Sequence, residues 1–431
     1  MSLPDSVWAS EPEPATPAAS LPPGPAAPRI KVLHVITKFT TGAGGNTLHS
    51  ATGMDPARYE VWVAARPGGE CFEPARRAGI RTVEIPRLAE TIRPLDDWLA
   101  YRALVRLIKR ERFSIVHTHT AKAGLIGRMA ARRCHVPVVI HTFHAFPFHD
   151  HMSRLRRRVY LAIDRTARRS THAFLAVAPQ VARDAVENRL APPGTVRVAP
   201  SSVELADIPR GRDRAFRDEI GIGEDVPLIG TVGRITFQKA PKDFVRAAAA
   251  VAAVRPDARF VMVGDGPMEA EARAEAARLG IDLLFTGFRD DAHRIAAAFD
   301  VFVMPSLYEG LGRALTEALA SGRPVVASAV NGVADLVRPG ATGLLSRPGD
   351  PAHVAECILW MLEHPSEARR MGIHGRNVVR SLFSQQRMCE ILDRTYRSLL
   401  GMPTEELRAR PVRLSDAHGN GARPAQRVIA T

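Results

Sequence analysis

Cysteine is scarce: Cys71, Cys134, Cys357 and Cys389 are the only four in 431 residues, far apart and in no Cys-x-x-Cys or Cys/His grouping. That pattern argues against a disulfide framework or a structural zinc site and fits a reducing cytoplasm. Long apolar runs are missing as well. No stretch approaches about 18 uncharged apolar residues, so no membrane-spanning helix is expected. The N-terminus lacks the basic start and apolar core of a secretory leader. Aromatics make up only 6%. The arginines are not interleaved with aromatic platforms, so no nucleic-acid partner is expected.

What is present describes a globular protein: 45% hydrophobic and 24% charged residues in a chain long enough for two cores. The net charge of +14 is unevenly placed. Residues 29–200 carry 29 Lys/Arg against 13 Asp/Glu, a balance of +16, so the rest sums to −2. A basic half of this kind suits either an anionic partner, a membrane surface among them, or a solvated surface.

Residues 1–28 are rich in Pro, Ala, Ser and Glu without periodicity, and residues 403–431 are polar and Arg-rich; both are expected to be disordered. Between them, short apolar runs alternate with amphipathic helices. Ile30–Thr37, Val61–Ala65, Ser114–Thr118, Val136–His141 and Ala173–Ala178 read as buried strands. A second series follows: Leu228–Val232, Phe260–Val263, Leu283–Thr286, Val301–Met304 and Pro324–Ser328. Such alternation predicts βαβ units around parallel sheets. The fold class expected is therefore α/β with two Rossmann-like domains, residues 29–205 and 206–383, facing a central cleft. The helix over 384–402 is long enough to return to the first domain.

The sharpest chemical signal follows the strand Val301–Met304. A turn, Pro305-Ser306-Leu307-Tyr308-Glu309-Gly310-Leu311-Gly312, leads into a helix that carries Glu317. Backbone N–H groups at such a helix start point at an anion. Eight residues separate the two glutamates, roughly 12 Å along a helix, comparable to the span from sugar ring to ribose in a nucleotide-sugar. Gly233-Arg234 follows another strand, with Lys239 five residues on, and an Arg fork beside a Lys point charge can clamp a diphosphate.

These motifs resemble the retaining glycosyltransferases of the GT-B fold, family 4, over about Arg29 to Leu399. The resemblance implies a nucleotide-sugar donor, most commonly a UDP-sugar. Glu309 then contacts sugar hydroxyls, Glu317 the ribose, and Arg234 and Lys239 the diphosphate. The backbone of Gly310, Leu311 and Gly312 lies beside that diphosphate. The loop Gly264-Asp265-Gly266-Pro267 is placed near the base. In the first domain, Gly44 and Gly45 of Gly42-Ala43-Gly44-Gly45-Asn46 let the backbone approach donor phosphate and acceptor. His144 matches a family position that contacts the donor, and His119 is a lesser cleft candidate. Ala240-Pro241 stands where the family often has a glycine after the lysine.

No cofactor and no metal are expected, although the histidines His117, His119, His141, His144, His149 and His151 are numerous. The acceptor is a sugar, a lipid-linked intermediate or a small molecule. The basic helical stretch Arg154–Arg169 suits either an anionic membrane surface, with the protein peripheral to the inner face of the cell membrane, or a plain cover for the sheet. A nucleotide-sugar epimerase of the same fold and a natural-product tailoring transferase are the rival readings.

Overall fold

The computed structural model describes residues 28–146, 152–203, 205, 207–209 and 211–404. Nearly all of the two stretches expected to be disordered, and also His149 and His151, lie outside the described residues. Contacts divide the chain into two units. One holds the chain up to Ser202 together with the segment that begins at Gln385; the other runs from Val203 to Ser384.

The first unit begins β1 (Ile30–Lys38), α1 (Ala43–Thr52), β2 (Tyr59–Arg66), α2 (Phe72–Arg77), β3 (Arg81–Glu84) and α3 (Pro94–Glu111). It continues β4 (Ile115–His119), α4 (Ala121–Arg133), β5 (Val138–Phe143), α5 (Arg154–Ala167), β6 (Ala173–Ala176), α6 (Pro179–Glu187) and β7 (Val196–Val198). Its strands form one parallel sheet in the order β3-β2-β1-β4-β5-β6-β7. β1 is buried on both faces, as a parallel strand covered by helices must be. Val32 and Ile36 face a core shared with Met388, Leu392 and Tyr396. Leu33 and Val35 face a second core with Leu104, Ile108 and Ile126. α3 shows how local sequence sets an element: Pro94 opens it, Asp96 and Asp97 occupy its first turn, and Arg112 at φ 55° ends it.

The second unit contains α7 (Ala215–Glu219), β8 (Leu228–Val232), α8 (Pro241–Val254), β9 (Arg259–Val263), α9 (Glu269–Leu279) and β10 (Leu283–Phe285). Then come α10 (Ala292–Ile295), β11 (Val301–Met304), α11 (Arg313–Ala320), β12 (Val325–Ser328), α12 (Val333–Leu336) and β13 (Leu344–Ser346). Two long helices, α13 (Pro351–Glu363) and α14 (Pro365–Leu382), complete it. Its parallel sheet runs β10-β9-β8-β11-β12-β13. The last helix, α15 (Gln385–Leu399), belongs to the first unit, where Gln385 Nε2 donates to the His49 carbonyl at 2.9 Å. The fold is α/β with two Rossmann-like units. Among the described residues no helix is long and apolar enough to cross a membrane.

Candidate active site

In each sheet the strand order reverses once, between β1 and β4 and between β8 and β11. Ligands of open α/β sheets bind outside the carboxyl ends of the strands at such a reversal. In the second unit, this is where the expected diphosphate clamp lies. Gly233 and Arg234 leave β8, and Gly264 leaves its neighbour β9. A Cβ on Gly264 would stand 2.1 Å from the Gly233 carbonyl oxygen, at φ +126°, so only glycine permits these two backbones to touch. Gly266 is confined in the same way, 2.3 Å from the Ile235 carbonyl oxygen. Ile235 N–H donates to the Asp265 carbonyl at 2.7 Å, and Met268 N–H to the Ile235 carbonyl at 3.0 Å. The loop bearing Arg234 is thus fixed to the Gly264–Met268 loop. Arg234 itself is exposed and has no hydrogen bond or ion pair to a described residue, so its guanidinium can accept an anion.

The turn after β11 is tied to the short helical turn Phe237–Lys239. Leu307 N–H donates to the Gln238 carbonyl at 2.8 Å, and Gln238 Nε2 to the Tyr308 carbonyl at 3.0 Å. These bonds bring Lys239 Nζ onto Glu309 Oε1 as an ion pair. Ser306 Oγ donates to the same oxygen at 3.3 Å, and Glu309 N–H reaches Asn331 Oδ1 at 3.4 Å. Asn331, just ahead of α12, thus supports the Glu309 backbone. Gly312, at φ +86°, caps α11, and a Cβ there would meet Met304 Cε at 2.9 Å. Gly310 and Leu311 are buried just before it. No acidic residue occupies the first turn of α11, so the positive end of its dipole is not neutralised from within. One face further along, Glu317 is paired with Arg313 at 2.8 Å. Lys239, Glu309, Arg234 and the α11 start therefore share one strand-end region, with Glu317 about one turn into the helix.

The first unit's reversal carries different chemistry. Gly44 and Gly45 lie in the buried first turn of α1. A Cβ on Gly44 would meet the Phe39 carbonyl carbon at 2.9 Å; close packing on its own loop accounts for that glycine. Thr37 Oγ1 and Thr120 Oγ1, from the ends of β1 and β4, are 2.6 Å apart. Behind them the histidines form a chain. His34 Nδ1 lies 2.9 Å from His119 Nε2, and His119 Nδ1 lies 2.9 Å from His144 Nε2. His117 is held by Tyr396 Oη at 2.7 Å and Thr142 Oγ1 at 2.6 Å. Burial lowers the His34 pKa to about 3 and that of the partly exposed His144 to about 4. His117, His119 and His141 are pushed well below the ordinary value by the same cause, followed by repulsion from neighbouring rings and, for His141, from Arg128. The rings are neutral at pH 7.

His34 is the residue that motif spacing missed. It pairs in register with His117 across β1 and β4, and both point to the face of Val32 and Ile36. A polar residue at period two within an apolar strand was the available signal. His34, His117 and His119 offer nitrogens within 4.8 Å of one another, a grouping typical of metal ligands. Here most of those nitrogens bond to each other, to His144, to Thr142 and to Tyr396, His34 Nε2 is buried without a hydrogen-bond partner among the described residues, and no carboxylate joins the group among them.

Doubly wound units of this kind, with a cation–carboxylate pair at the second unit's strand reversal, define a glycosyltransferase of the GT-B fold. The profile described as glycosyl transferases group 1 matches residues 212–378, and that of the glycosyl transferase 4-like domain matches residues 19–201. An Escherichia coli UDP-Gal:alpha-D-GlcNAc-diphosphoundecaprenol alpha-1,3-galactosyltransferase is 31% identical, over 75% of this chain and 85% of its own. The 2-deoxystreptamine glucosyltransferase of Streptomyces kanamyceticus is 30% identical, over 67% of this chain and 79% of its own. The chain belongs to the group 1 glycosyltransferases, and it is a transferase by family. Among solved structures, Anabaena HepE in complex with UDP and glucose superposes with a TM-score of 0.74 at 20% identity, covering 86% of this chain and all of that one. A glycosyltransferase from Rickettsia africae gives 0.71 at 17% identity, covering 86% and 99%.

Proposed function

We propose that the chain moves a sugar from a UDP-sugar to an acceptor hydroxyl with retention at the anomeric carbon, without a metal ion, in cell-surface polysaccharide or glycoconjugate synthesis. The observation that carries this reading is the Lys239–Glu309 pair beside the unpartnered Arg234 at the strand reversal of the second unit. Arg234 and Lys239 supply the positive charge that a departing diphosphate requires, and the backbone from Gly310 to Gly312 adds donors at the helix start. Glu309 accepts from sugar hydroxyls and Glu317 from the ribose. The loop of Gly264 and Gly266 lies beside the base.

The proposed reaction is a front-face substitution. The anomeric carbon–oxygen bond to the diphosphate breaks, the acceptor oxygen bonds to the same face, and the acceptor's proton passes to the departing phosphate oxygen. The protein's part is then positioning and charge stabilisation. The neutral His144, its ring held by His119, is the first unit's contribution to hydroxyl binding, and Gly44 and Gly45 allow close backbone approach. The relatives named above act, by name, on a diphosphoundecaprenol-linked sugar and on 2-deoxystreptamine, so the acceptor is either lipid-linked or a small polar molecule. A lipid-linked acceptor would place the protein in the cytoplasm, peripheral to the inner face of the membrane.

The test is slow hydrolysis across a panel of nucleotide-sugars, which needs no acceptor. One UDP-sugar should be turned over, and Lys239→Ala and Glu309→Ala should abolish turnover while the thermal transition persists. Near-native turnover in either folded variant would refute the assigned site. Interconversion of donor sugars in place of transfer would favour an epimerase.

A further inference from the structure

The first unit contains a groove of about 620 Å³ between α3, α4 and α5, a volume suited to one small ligand. It starts at Thr37 and Thr120, the strand ends of that unit's reversal, and follows α4 through Leu125 and Ile126 to Met129. From Thr120 to Met129 the helix advances roughly 13 Å. Trp98 and Tyr101 form one wall, Tyr160 and Ile163 the other. Trp98 and Met129 are 50% and 51% exposed, and Ile92, Leu95, Leu155 and Val159 on the same three elements or their approach are exposed as well. Apart from Met402, these are all the large hydrophobics that the first unit exposes among the described residues. So concentrated an apolar surface marks a binding region.

The charges left unpaired around it, among the described residues, have one sign. Three acids line the groove and each is already neutralised: Glu90 by Lys38, Asp97 by Lys122 and Asp164 by Arg128, all at 2.5 Å. Two arginines that stack on its wall aromatics are not neutralised among the described residues. The Arg102 guanidinium lies 4.6 Å from the Trp98 ring centre, and that of Arg156 lies 5.9 Å from Tyr160. Neither they nor Arg154 and Arg158 have an acidic partner among the described residues. An aminocyclitol, which is a cation, would meet uncompensated positive charge here. An anionic amphiphile would meet apolar walls for its chain and guanidinium groups for its phosphates.

We propose that this groove holds the apolar chain of the acceptor, a prenyl-linked phosphate ester of a sugar, with its phosphates against Arg102 and Arg156. The sugar end then lies toward Thr37 and Thr120. This assignment rests on the transferase reading above and selects between the two acceptor classes left open there.

The full chain is titrated with geranylgeranyl diphosphate below its micellar concentration, with inorganic pyrophosphate, with 2-deoxystreptamine and, separately, with UDP. Geranylgeranyl diphosphate should bind at least about tenfold more tightly than pyrophosphate, the gain expected from burying even part of an apolar chain. Trp98→Ala combined with Met129→Ala should weaken it about tenfold. Both side chains are half-exposed, so the melting temperature and the UDP affinity should hold. Arg102→Gln and Arg156→Gln should weaken binding several-fold and flatten its salt dependence. Equal binding of pyrophosphate and its prenyl ester, indifference to the Trp98/Met129 variant, or tight 2-deoxystreptamine binding would overturn the proposal. So would two further results: capture by phosphatidylglycerol vesicles that prenyl diphosphate does not relieve, and self-association in light scattering that Trp98→Glu abolishes. UDP binding that survives while prenyl binding is absent sinks the groove alone; absence of UDP binding sinks the donor site instead.

Discussion

The two units share a sheet order around the strand reversal, yet what they place there differs in kind. The second unit puts formal charge at its strand ends: Arg234, the Lys239–Glu309 pair and Glu317 with Arg313. The first puts neutral imidazoles, two threonine hydroxyls and an apolar groove at its own. One scaffold can therefore serve opposite halves of a group transfer, because the sheet fixes only where a ligand sits. On the reading proposed above, the side chains at the strand ends decide whether that ligand is a diphosphate or a hydroxyl carried on an amphiphile.

The contrast breaks most completely at Lys239. Lys239→Ala should lower the rate of transfer by about 10²–10³-fold or more, as removal of a group that stabilises developing charge does, measured as kcat with saturating UDP-sugar. Next comes the loop junction. Gly264→Ala forces a Cβ into the Gly233 carbonyl, and the second unit should lose about 2–4 kcal/mol in a denaturant titration, with donor affinity falling alongside. At Glu317 the effect is narrower. Glu317→Gln should weaken UDP about tenfold but leave 2′,3′-dideoxy-UDP almost unaffected, since a charge-assisted bond to the ribose is worth about 1.5–3 kcal/mol. Equal losses for the two ligands would remove Glu317 from the ribose.

The first unit should answer to acid instead. Its buried rings stay unprotonated in the fold, whereas in the unfolded chain they protonate near pH 6.5. The unfolded state then binds more protons, so stability is complete above about pH 6.5. It falls as pH drops toward the folded values of about 4 for His144 and about 3 for His34. Each ring contributes at most about 1.4 kcal/mol per pH unit in that window. Chemical denaturation from pH 7 to pH 4.5 checks this, and His34→Phe should shallow the slope. The smallest change is expected from Arg313→Gln, which breaks a partly buried i,i+4 pair and should shift stability by less than about 1 kcal/mol.

Much of this architecture could be read from the residues. Central strands such as β1, β8 and β11 declare themselves because burial on both faces makes them largely apolar runs. Three of the four edge strands do not, β10 being the exception. β3, Arg-Thr-Val-Glu, has no buried residue, and β7 and β13 have three residues each; such segments are defined by their partners more than by their own sequence. Glu309 and Glu317 were legible through spacing within one strand–turn–helix unit, and Arg234 through its place at the exit of another strand, β8. His34 was not, because its meaning comes from a partner 83 residues away across β1 and β4, His117. Likewise Asn331 reaches Glu309 only through the fold, and the groove arises where three separately unremarkable helices meet.

The placement of α15 has a consequence for how the polypeptide matures. Tyr396 fills the first unit's core and holds His117, and Gly53 leaves room for Cys389, whose Sγ would stand 2.6 Å from a Cβ there. These partners are the last part of the described chain to leave the ribosome. The unit that starts first must wait for its closing piece while the other, made of one continuous stretch, can already be finished. Order of synthesis and order of completion are thus reversed, and a chain stopped before Gln385 would hold a sheet with an uncovered apolar face.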